Sequence, residues 1–489
     1  MYVVKNIQLY PFFRIAIALM AGILVAKAMD NPMPGIWMAC AIGVYLMAVV
    51  SYFLFKTYWG ACLLFLACFF LGGWRMSIGL AADMPSASCL QPSLKSGIPQ
   101  DYSQAVFLME PQVHGKVIMT RMMLLDGKYR GKSIPVSILR DTVSNKWKQL
   151  HEGDGIIVRA ELSDYLFLSD NTYYNHLFLF EDDCQKASVT LSQLDVLERV
   201  RVLALRFRSV VLQRLRAEGS DRGFGILAAM TLGDKSYLDK KVRNDFAITG
   251  SSHVLALSGL HLGILYFILS IFFRKRWWAS QMIILLAVWA FVVLVGMSAS
   301  VIRSALMISL CCIIQMMDRK NITVNTLSFS AVVMLLINPE SLYDISFQLS
   351  FLSVFGILTM APRCHSRIVS LLTVSFAAQL ATLPLVLYYF GRLSCYGVLT
   401  SLVVIPAAFV ILYGSVAVFI TLPFLQLSRW LLGRVESVTY GLERLLGWVA
   451  GLPGASIEHL YINRLQVVLL YVILVCGYLF VRKFAVFKK

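Results

Sequence analysis

Charge is scarce in this chain. Only 15% of its 489 residues are Asp, Glu, Lys or Arg, where a soluble domain carries roughly 25%. Acidic residues are the scarcer half, 27 against 44 basic ones, giving a formal net charge of +17, while 58% of the residues are apolar. This shortage excludes a soluble enzyme, a disordered regulator and a coiled coil. It leaves a membrane protein with room for about ten crossings and one water-soluble domain. Metal-ligand cysteine spacing is also missing: there are ten cysteines and no C-x-x-C. Eight of them lie in or beside apolar runs, as small hydrophobes do. Only Cys89 and Cys184 fall in polar sequence, a candidate disulfide if that segment faces an oxidising compartment. No G-x-x-x-x-G-K-[ST] loop occurs, so the chain has no nucleotide-driven motor of that kind.

What is present divides the chain into four regions. No small-residue cleavage pattern follows the first apolar run, so the N-terminus reads as a span and not a cleaved leader. Three spans near 10–29, 34–55 and 58–80 make an N-terminal membrane region, 1–80. Lys5, Arg14 and Lys56 put the N-terminus in the cytoplasm and the segment after residue 80 outside. Over 81–192 no span-length run survives. Strand-like stretches Gln104–Glu110, Val113–Leu125, Ser133–Leu139 and Ile156–Leu162 alternate with turns such as Asp126-Gly127 and Gly153-Asp154-Gly155. They predict an extracytoplasmic small β-barrel, OB-like.

Residues 193–250 read as Arg-rich interfacial helices. On a wheel over 193–222, Val200, Ala204, Phe207, Val211 and Leu215 form one apolar stripe. Arg201, Arg208 and Arg214 border it, and Arg199 and Arg206 lie beyond. A narrow apolar stripe flanked by arginine fits a helix lying in the membrane interface. A helix packed beneath the barrel with solvated arginines fits as well. From 251 to 489, spans near 252–273, 278–297, 301–317, 324–338, 345–361, 368–390, 396–422 and 463–482 alternate with basic clusters at Arg274-Lys275-Arg276, Arg319-Lys320 and Arg363 with Arg367. Segment 428–452 is amphipathic. The fold expected is an α-helical polytopic membrane protein of about ten to eleven spans with the inserted β-domain.

The most informative block is Leu232-Gly233-Asp234-Lys235-Ser236, followed by Gly250-Ser251-Ser252-His253-Val254-Leu255-Ala256-Leu257-Ser258-Gly259-Leu260-His261. It sets two histidines and several hydroxyls at the mouth of a span, where ionisable groups are costly and face a cavity or each other. Gly259 and Gly263 form a small-xxx-small face for close helix packing. The block resembles the ComEC-type competence family, with its L-G-D-x-S stretch followed by G-x-S-H-x-L-A-x-S-G-L-H. The resemblance continues at Gly296–Met307, which contains Arg303. It recurs at Asn338-Pro339-Glu340-Ser341-Leu342 leading into Gln348, and again at Gln379-Leu380-Ala381-Thr382-Leu383-Pro384. It implies an inner-membrane channel passing single-stranded DNA inward during natural transformation. The family's three N-terminal spans and extracytoplasmic OB-like domain match the layout above.

Two departures stand out. Where the family usually carries Asn after Tyr396-Gly397-Val398-Leu399, this chain has Thr400-Ser401. The H-x-H-x-D-H motif of a metallo-β-lactamase-like nuclease is absent, so degradation of a second strand would need a separate nuclease. A cytoplasmic ATP-driven motor and a DNA-receptor protein are the further partners implied, besides membrane lipids. The pore candidates are Ser252, His253, Ser258, Gly259, His261, Arg303, Gln348 and Gln379. The DNA-binding candidates are Arg199, Arg206, Arg214, Lys128, Arg130 and Lys132.

Plainer readings stand beside these. His253 and His261 are about 80° apart on a helix and have no Cys or carboxylate cluster near them in sequence, so a metal site is not expected. They are either hydrogen-bonded packing residues shaping a break in the segment, or pore lining. Arg303 either snorkels to the interface or meets phosphate at a constriction, and Asp344 is its candidate counter-ion. Gln348 and Gln379 fit interhelical glue or pore lining. A proton-coupled small-molecule transporter or exporter is the competing class. No cofactor is expected. Enzyme activity is not expected either, since Ser258 and His261 form the only nucleophile–base spacing.

Overall fold

A computed structural model of the chain describes residues 10–29, 33–55, 59–83, 102–107, 112–114, 117–125, 133–139, 154–159, 177–180, 184–187, 196–219, 223–235, 237–255, 257, 259–273, 278–297, 299–316, 323–361 and 366–487. Lys128, Arg130, Lys132, Ser258 and Cys89 lie outside the described residues, and with Cys89 the candidate disulfide.

The first three apolar runs are helices α1 (Pro11–Met29), α2 (Pro34–Phe55) and α3 (Trp59–Asp83). Two glycines bring α1 and α3 to backbone contact. A Cβ on Gly22 would collide with the Phe69 carbonyl, and one on Gly72 with the Leu19 carbonyl. Small residues permit this approach in a membrane protein, where dispersion replaces the hydrophobic effect as the force between helices.

The strands are β1 (Tyr102–Phe107), β2 (Gln112–His114), β3 (Val117–Leu124), β4 (Ser133–Leu139), β5 (Gly155–Arg159), β6 (Leu177–Phe180) and β7 (Cys184–Ala187). They form one sheet in the order β6-β4-β3-β1-β5-β7, with β2 pairing β3. The pairs are antiparallel except β4 with β6. Its end strands do not pair with each other among the described residues, so the expected barrel closure is not seen there.

Helix α4 (Val196–Glu218) lies under this sheet: its Val202 packs with Val106, Met123 and Leu125. The covered face differs from the stripe read off the wheel. Val202, Leu205, Leu212 and Leu215 are buried, with Arg208 among them, whereas Val200 and Phe207 are exposed. The helix has apolar residues on two sides. Leu215 belongs to both sets, and tertiary packing covers a face turned by about 110° from the stripe, onto the side that carries Arg208.

Short helices α5 (Phe224–Thr231), α6 (Lys240–Ile248) and α7 (Ser252–Leu255) precede the rest of the membrane region. That region comprises α8 (Gly259–Phe272), α9 (Trp278–Leu294), α10 (Ala299–Met316), α11 (Thr323–Ile337), α12 (Ile345–Met360), α13 (Arg367–Phe390), α14 (Gly397–Thr421), α15 (Leu425–Ala450) and α16 (Arg464–Phe487). Among the described residues five helices are long and apolar enough to cross a membrane: α1, α2, α3, α13 and α14. Six more helices carry shorter apolar stretches. This is a polytopic membrane protein. The expected span at 252–273 is instead a broken helix, with α7 ending at Leu255, α8 opening at Gly259 and Leu257 outside both.

One core joins Leu212 and Leu215 of α4 to Leu227, Phe246, Leu255, Ile411 and Leu432. A second gathers Leu257 and Leu262 with Val288, Val292, Val301 and Ala305. A third docks the N-terminal helices on the rest, packing Leu19, Ile23 and Met76 against Met334, Leu335 and Phe347. At one end the short ladder β8 (Leu393–Ser394) with β9 (Ser456–Ile457) ties the α13–α14 turn to the loop before α16, beside an Arg392–Glu458 ion pair of 2.8 Å.

Candidate functional site

The broken helix is built from backbone turns. Gly233 (φ +77°) closes the turn after α5, and a Cβ there would collide with Leu257, so the L-G-D stretch abuts the second part of its own block. Gly250 (φ +72°) reverses the chain after α6, a conformation that disfavours side chains with a Cβ. Its Cα region is pressed against Ser394, whose Cβ would be 2.9 Å from an added methyl. Ser251 N–H then donates to Phe246 O at 2.8 Å, and Val254 N–H to Ser251 O at 2.9 Å. These bonds turn the chain into the single turn of α7.

The two histidines sit on opposite sides of the break. His253 is exposed, its Nδ1 3.1 Å from Gly250 O, while His261 in α8 is 1% exposed. Ser252 is exposed beside His253. Among the described residues no group of three or more His, Cys, Asp or Glu could hold a metal ion. Gly259 opens α8 against α10, a Cβ there lying 2.9 Å from Ser304 Oγ. Gly263 faces open space, so the small-xxx-small face expected from sequence makes its close contact at Gly259 alone.

Arg303 does not snorkel. It is 1% exposed, and its Nη2 donates to Ser346 O at 2.8 Å and to Ser346 Oγ at 3.0 Å. Its Nη1 lies 3.8 Å from Asp344 Oδ2, the counter-ion expected from sequence. Asp344 also caps α12, accepting from Ser346 N–H at 3.1 Å, so one carboxylate serves both the helix start and the buried guanidinium. Upstream, Asn338 Oδ1 caps the 3₁₀ turn Pro339–Tyr343 by accepting from Glu340 N–H. Gln348 Nε2 donates to Leu342 O at 2.9 Å and its Oε1 accepts from Tyr389 of α13 at 3.0 Å. Gln348 therefore links α12 both to the 3₁₀ turn before it and to α13. Gln379 abuts Gly397, whose added Cβ would lie 2.8 Å from Nε2.

Thr400, standing where the resemblance expects Asn, has its hydroxyl 2.9 Å from Thr249 O, the nearest of three carbonyls in reach. It joins α14 to the end of α6. Two basic residues not singled out in the sequence complete the arrangement. Arg75 of α3 donates to Leu336 O at 2.7 Å and Ile337 O at 2.6 Å, satisfying the last carbonyls of α11. Lys27 of α1 has its ammonium 3.8 Å over the Tyr343 ring. The signal available for Arg75 was its place inside an apolar run, where a charge needs a partner.

Of the DNA-binding candidates, Arg199 and Arg206 are half-buried and both have partners, and Arg214 is exposed with Nε 3.8 Å from Glu218. Cys184 pairs with Val158 in the sheet register. Near α6, partial burial and the carboxylates of Asp239 and Asp245 hold the Glu443 carboxyl above its ordinary range, against the pull of Lys241.

The motifs thus meet through backbone carbonyls and glycine contacts. The chain is 33% identical over 202 residues to ComE operon protein 3 of Bacillus subtilis, an alignment spanning 40% of this chain and 26% of that protein. It is 26% identical over 190 residues to an uncharacterised protein of Mycoplasma genitalium, spanning 36% and 50% of the two chains. It is 31% identical over 153 residues to one of Aquifex aeolicus, spanning 31% and 37%. The chain therefore covers half or less of each relative's own length. No solved structure matches it. The family model described as "Competence protein" matches residues 230–484, more than half of the sequence and all four motifs from Leu232 onward, and the chain belongs to that family.

Proposed function

We propose that the chain takes part in DNA uptake during natural transformation, as the passage for single-stranded DNA across the cytoplasmic membrane. The observation that carries this reading is the family match over 230–484 together with the broken helix α7–α8, around which its first motif is organised. Broken helices at membrane depth are tolerated where they are buried in protein or line a cavity, and such breaks expose backbone polar groups to a passing solute. In this reading the 81–192 region stands outside the membrane as an OB-like domain. The Arg-bearing helix α4 beneath the sheet supplies positive charge at the entrance. A cytoplasmic ATP-driven motor pulls the strand, a receptor delivers it, and a separate nuclease removes its complement.

The test is a deletion strain scored for transformation and, separately, for DNA bound at the cell surface. The expected result is transformation lost with surface binding intact, restored by the gene in trans. Normal transformation in the deletion strain would overturn the reading. So would loss of a small-molecule uptake or export activity with DNA uptake unchanged.

A further inference from the structure

We propose that the outward face of α15, carrying Trp430, Arg434, Tyr440, Arg444 and Trp448, is a stacking surface for single-stranded nucleic acid; this rests on the DNA-passage reading above. The helix is amphipathic in an unusual sense. Its inward side, from Ser428 and Leu432 to Leu446 and Val449, is buried against the rest of the membrane region. At 100° per residue, Trp430, Arg434, Arg444 and Trp448 fall within about 80° on the opposite side, and Tyr440 borders them. Trp430 is 58% and Trp448 68% exposed. The Arg434 guanidinium lies 5.4 Å from the Trp430 ring centroid and that of Arg444 5.6 Å from Tyr440. Arg444 Nε also donates to the Tyr440 hydroxyl at 3.1 Å. Gly433 and Gly441, between the rings, have open space around them.

Between Trp430 and Trp448 no aliphatic side chain is exposed on this helix. The neighbouring helices differ. Outward residues on α14 include Leu399, Val403 and Ile420, and those on α16 include Leu465 and Val468. Faces of that kind suit acyl chains. A face of aromatic rings and arginines does not suit the hydrocarbon centre of the bilayer, because immersing guanidinium groups there is costly. The acidic groups nearby do not neutralise it. Glu436 is buried, and Glu443 lies on the flank near Asp239 and Asp245. Sequence-blind binding of a single strand needs exposed rings for bases and cations for phosphates, and guanidinium groups already paired with rings suit both. Trp430 and Trp448 are about 27 Å apart along the axis at 1.5 Å per residue, room for several nucleotides.

The experiment uses the full chain in nanodiscs of phosphatidylethanolamine and phosphatidylglycerol, probed with a 20-residue oligo-dT and with an iododeoxyuridine-substituted oligonucleotide for photocrosslinking. W430A/W448A should loosen oligo-dT binding about tenfold or more. R434Q/R444Q should reduce the slope of log K against log salt by about 1.4, or about 0.7 per lost phosphate contact. Crosslinks in the unsubstituted protein should map to Trp430, Tyr440 or Trp448, a readout independent of how the variants fold. If the protein binds oligo-dT but crosslinks elsewhere, and both variants bind unchanged, the surface is wrong while the DNA-passage reading survives. If the unsubstituted protein binds no oligonucleotide at low salt, both fall. If fluorescence lost in W430F/W448F is quenched by lipids brominated on the acyl chains and not by oligo-dT, the face belongs to the membrane and the proposal is overturned.

Discussion

Replacing Asp344 with Asn isolates the charge of one side chain from its other duty. Asn caps helices about as well as Asp, so the bond to Ser346 N–H that starts α12 is retained. What is lost is the counter-charge of Arg303, a guanidinium 1% exposed whose Nε and Nη1 have no hydrogen-bond partner among the described residues. Stranding a charge in a fully buried pair costs about 3–5 kcal/mol. Here the ions are 3.8 Å apart and the Asp344 side chain is 42% exposed, which discounts the loss to about 1–3 kcal/mol. Arg303→Met removes the stranded charge and fills much of the same space, at the expense of the two bonds to Ser346. Unfolding of a polytopic protein is not two-state, so the comparison is read as apparent Tm in detergent, with membrane abundance and transformation scored on the same strains. D344N is expected to be the least stable, and R303M/D344N more stable than D344N. Transformation should track abundance in all three. The reasoning is refuted if the two substitutions lower Tm additively, or if R303M abolishes transformation at normal abundance. The latter would make Arg303 a contact for the passing strand and not a strut.

Three further outcomes follow from particular contacts. Thr400→Val should lower Tm, by about 1–3 kcal/mol of lost stability, because it removes the donor facing Thr249 O, while Thr400→Ser should stay near the parent. Arg75→Gln should speed hydrogen exchange in residues 334–338 by uncapping α11, and unchanged exchange there would show the two carbonyls satisfied without it. Leu212→Ala should cost about 2–5 kcal/mol and Phe207→Ala under about 0.5 kcal/mol, since one is buried in the main core and the other exposed. Equal losses, measured by thermal aggregation, would show that the outer stripe of α4 is covered.

The sequence located long apolar helices closely. The runs read at 10–29 and 34–55 are Pro11–Met29 and Pro34–Phe55, because hydropathy summed over some twenty residues is the quantity a membrane helix depends on. The same summation hid the break near residue 257. A window average does not register a left-handed backbone at Gly250 or a second helix opening at Gly259, although both glycines and their hydroxyl neighbours were visible. On α4 the wheel found apolar residues but could not say which side is covered. Val202, Leu205 and Leu212 recur on their side as Val200, Phe207 and Val211 do on theirs, and the sheet over Val202 with the membrane core against Leu212 decides. The Arg303–Asp344 pair was legible across 41 residues because a lone intramembrane charge demands a partner; its depth was not.

The substitution at position 400 shows what kind of information the shared motifs carry. The acceptor there is the Thr249 carbonyl, a backbone group that any donor of suitable reach can satisfy, so threonine can fill a place that the resemblance assigns to asparagine. Arg75 with the α11 carbonyls, Gln348 with Leu342 O and Arg303 with Ser346 O follow the same scheme: a side chain on one helix ends on the backbone of another segment. Contacts of that form constrain donor geometry more than partner identity. Tolerance to substitution should therefore follow donor reach at these positions. On α15, where Arg434 lies over the Trp430 ring and Arg444 over that of Tyr440, it should follow side-chain chemistry instead.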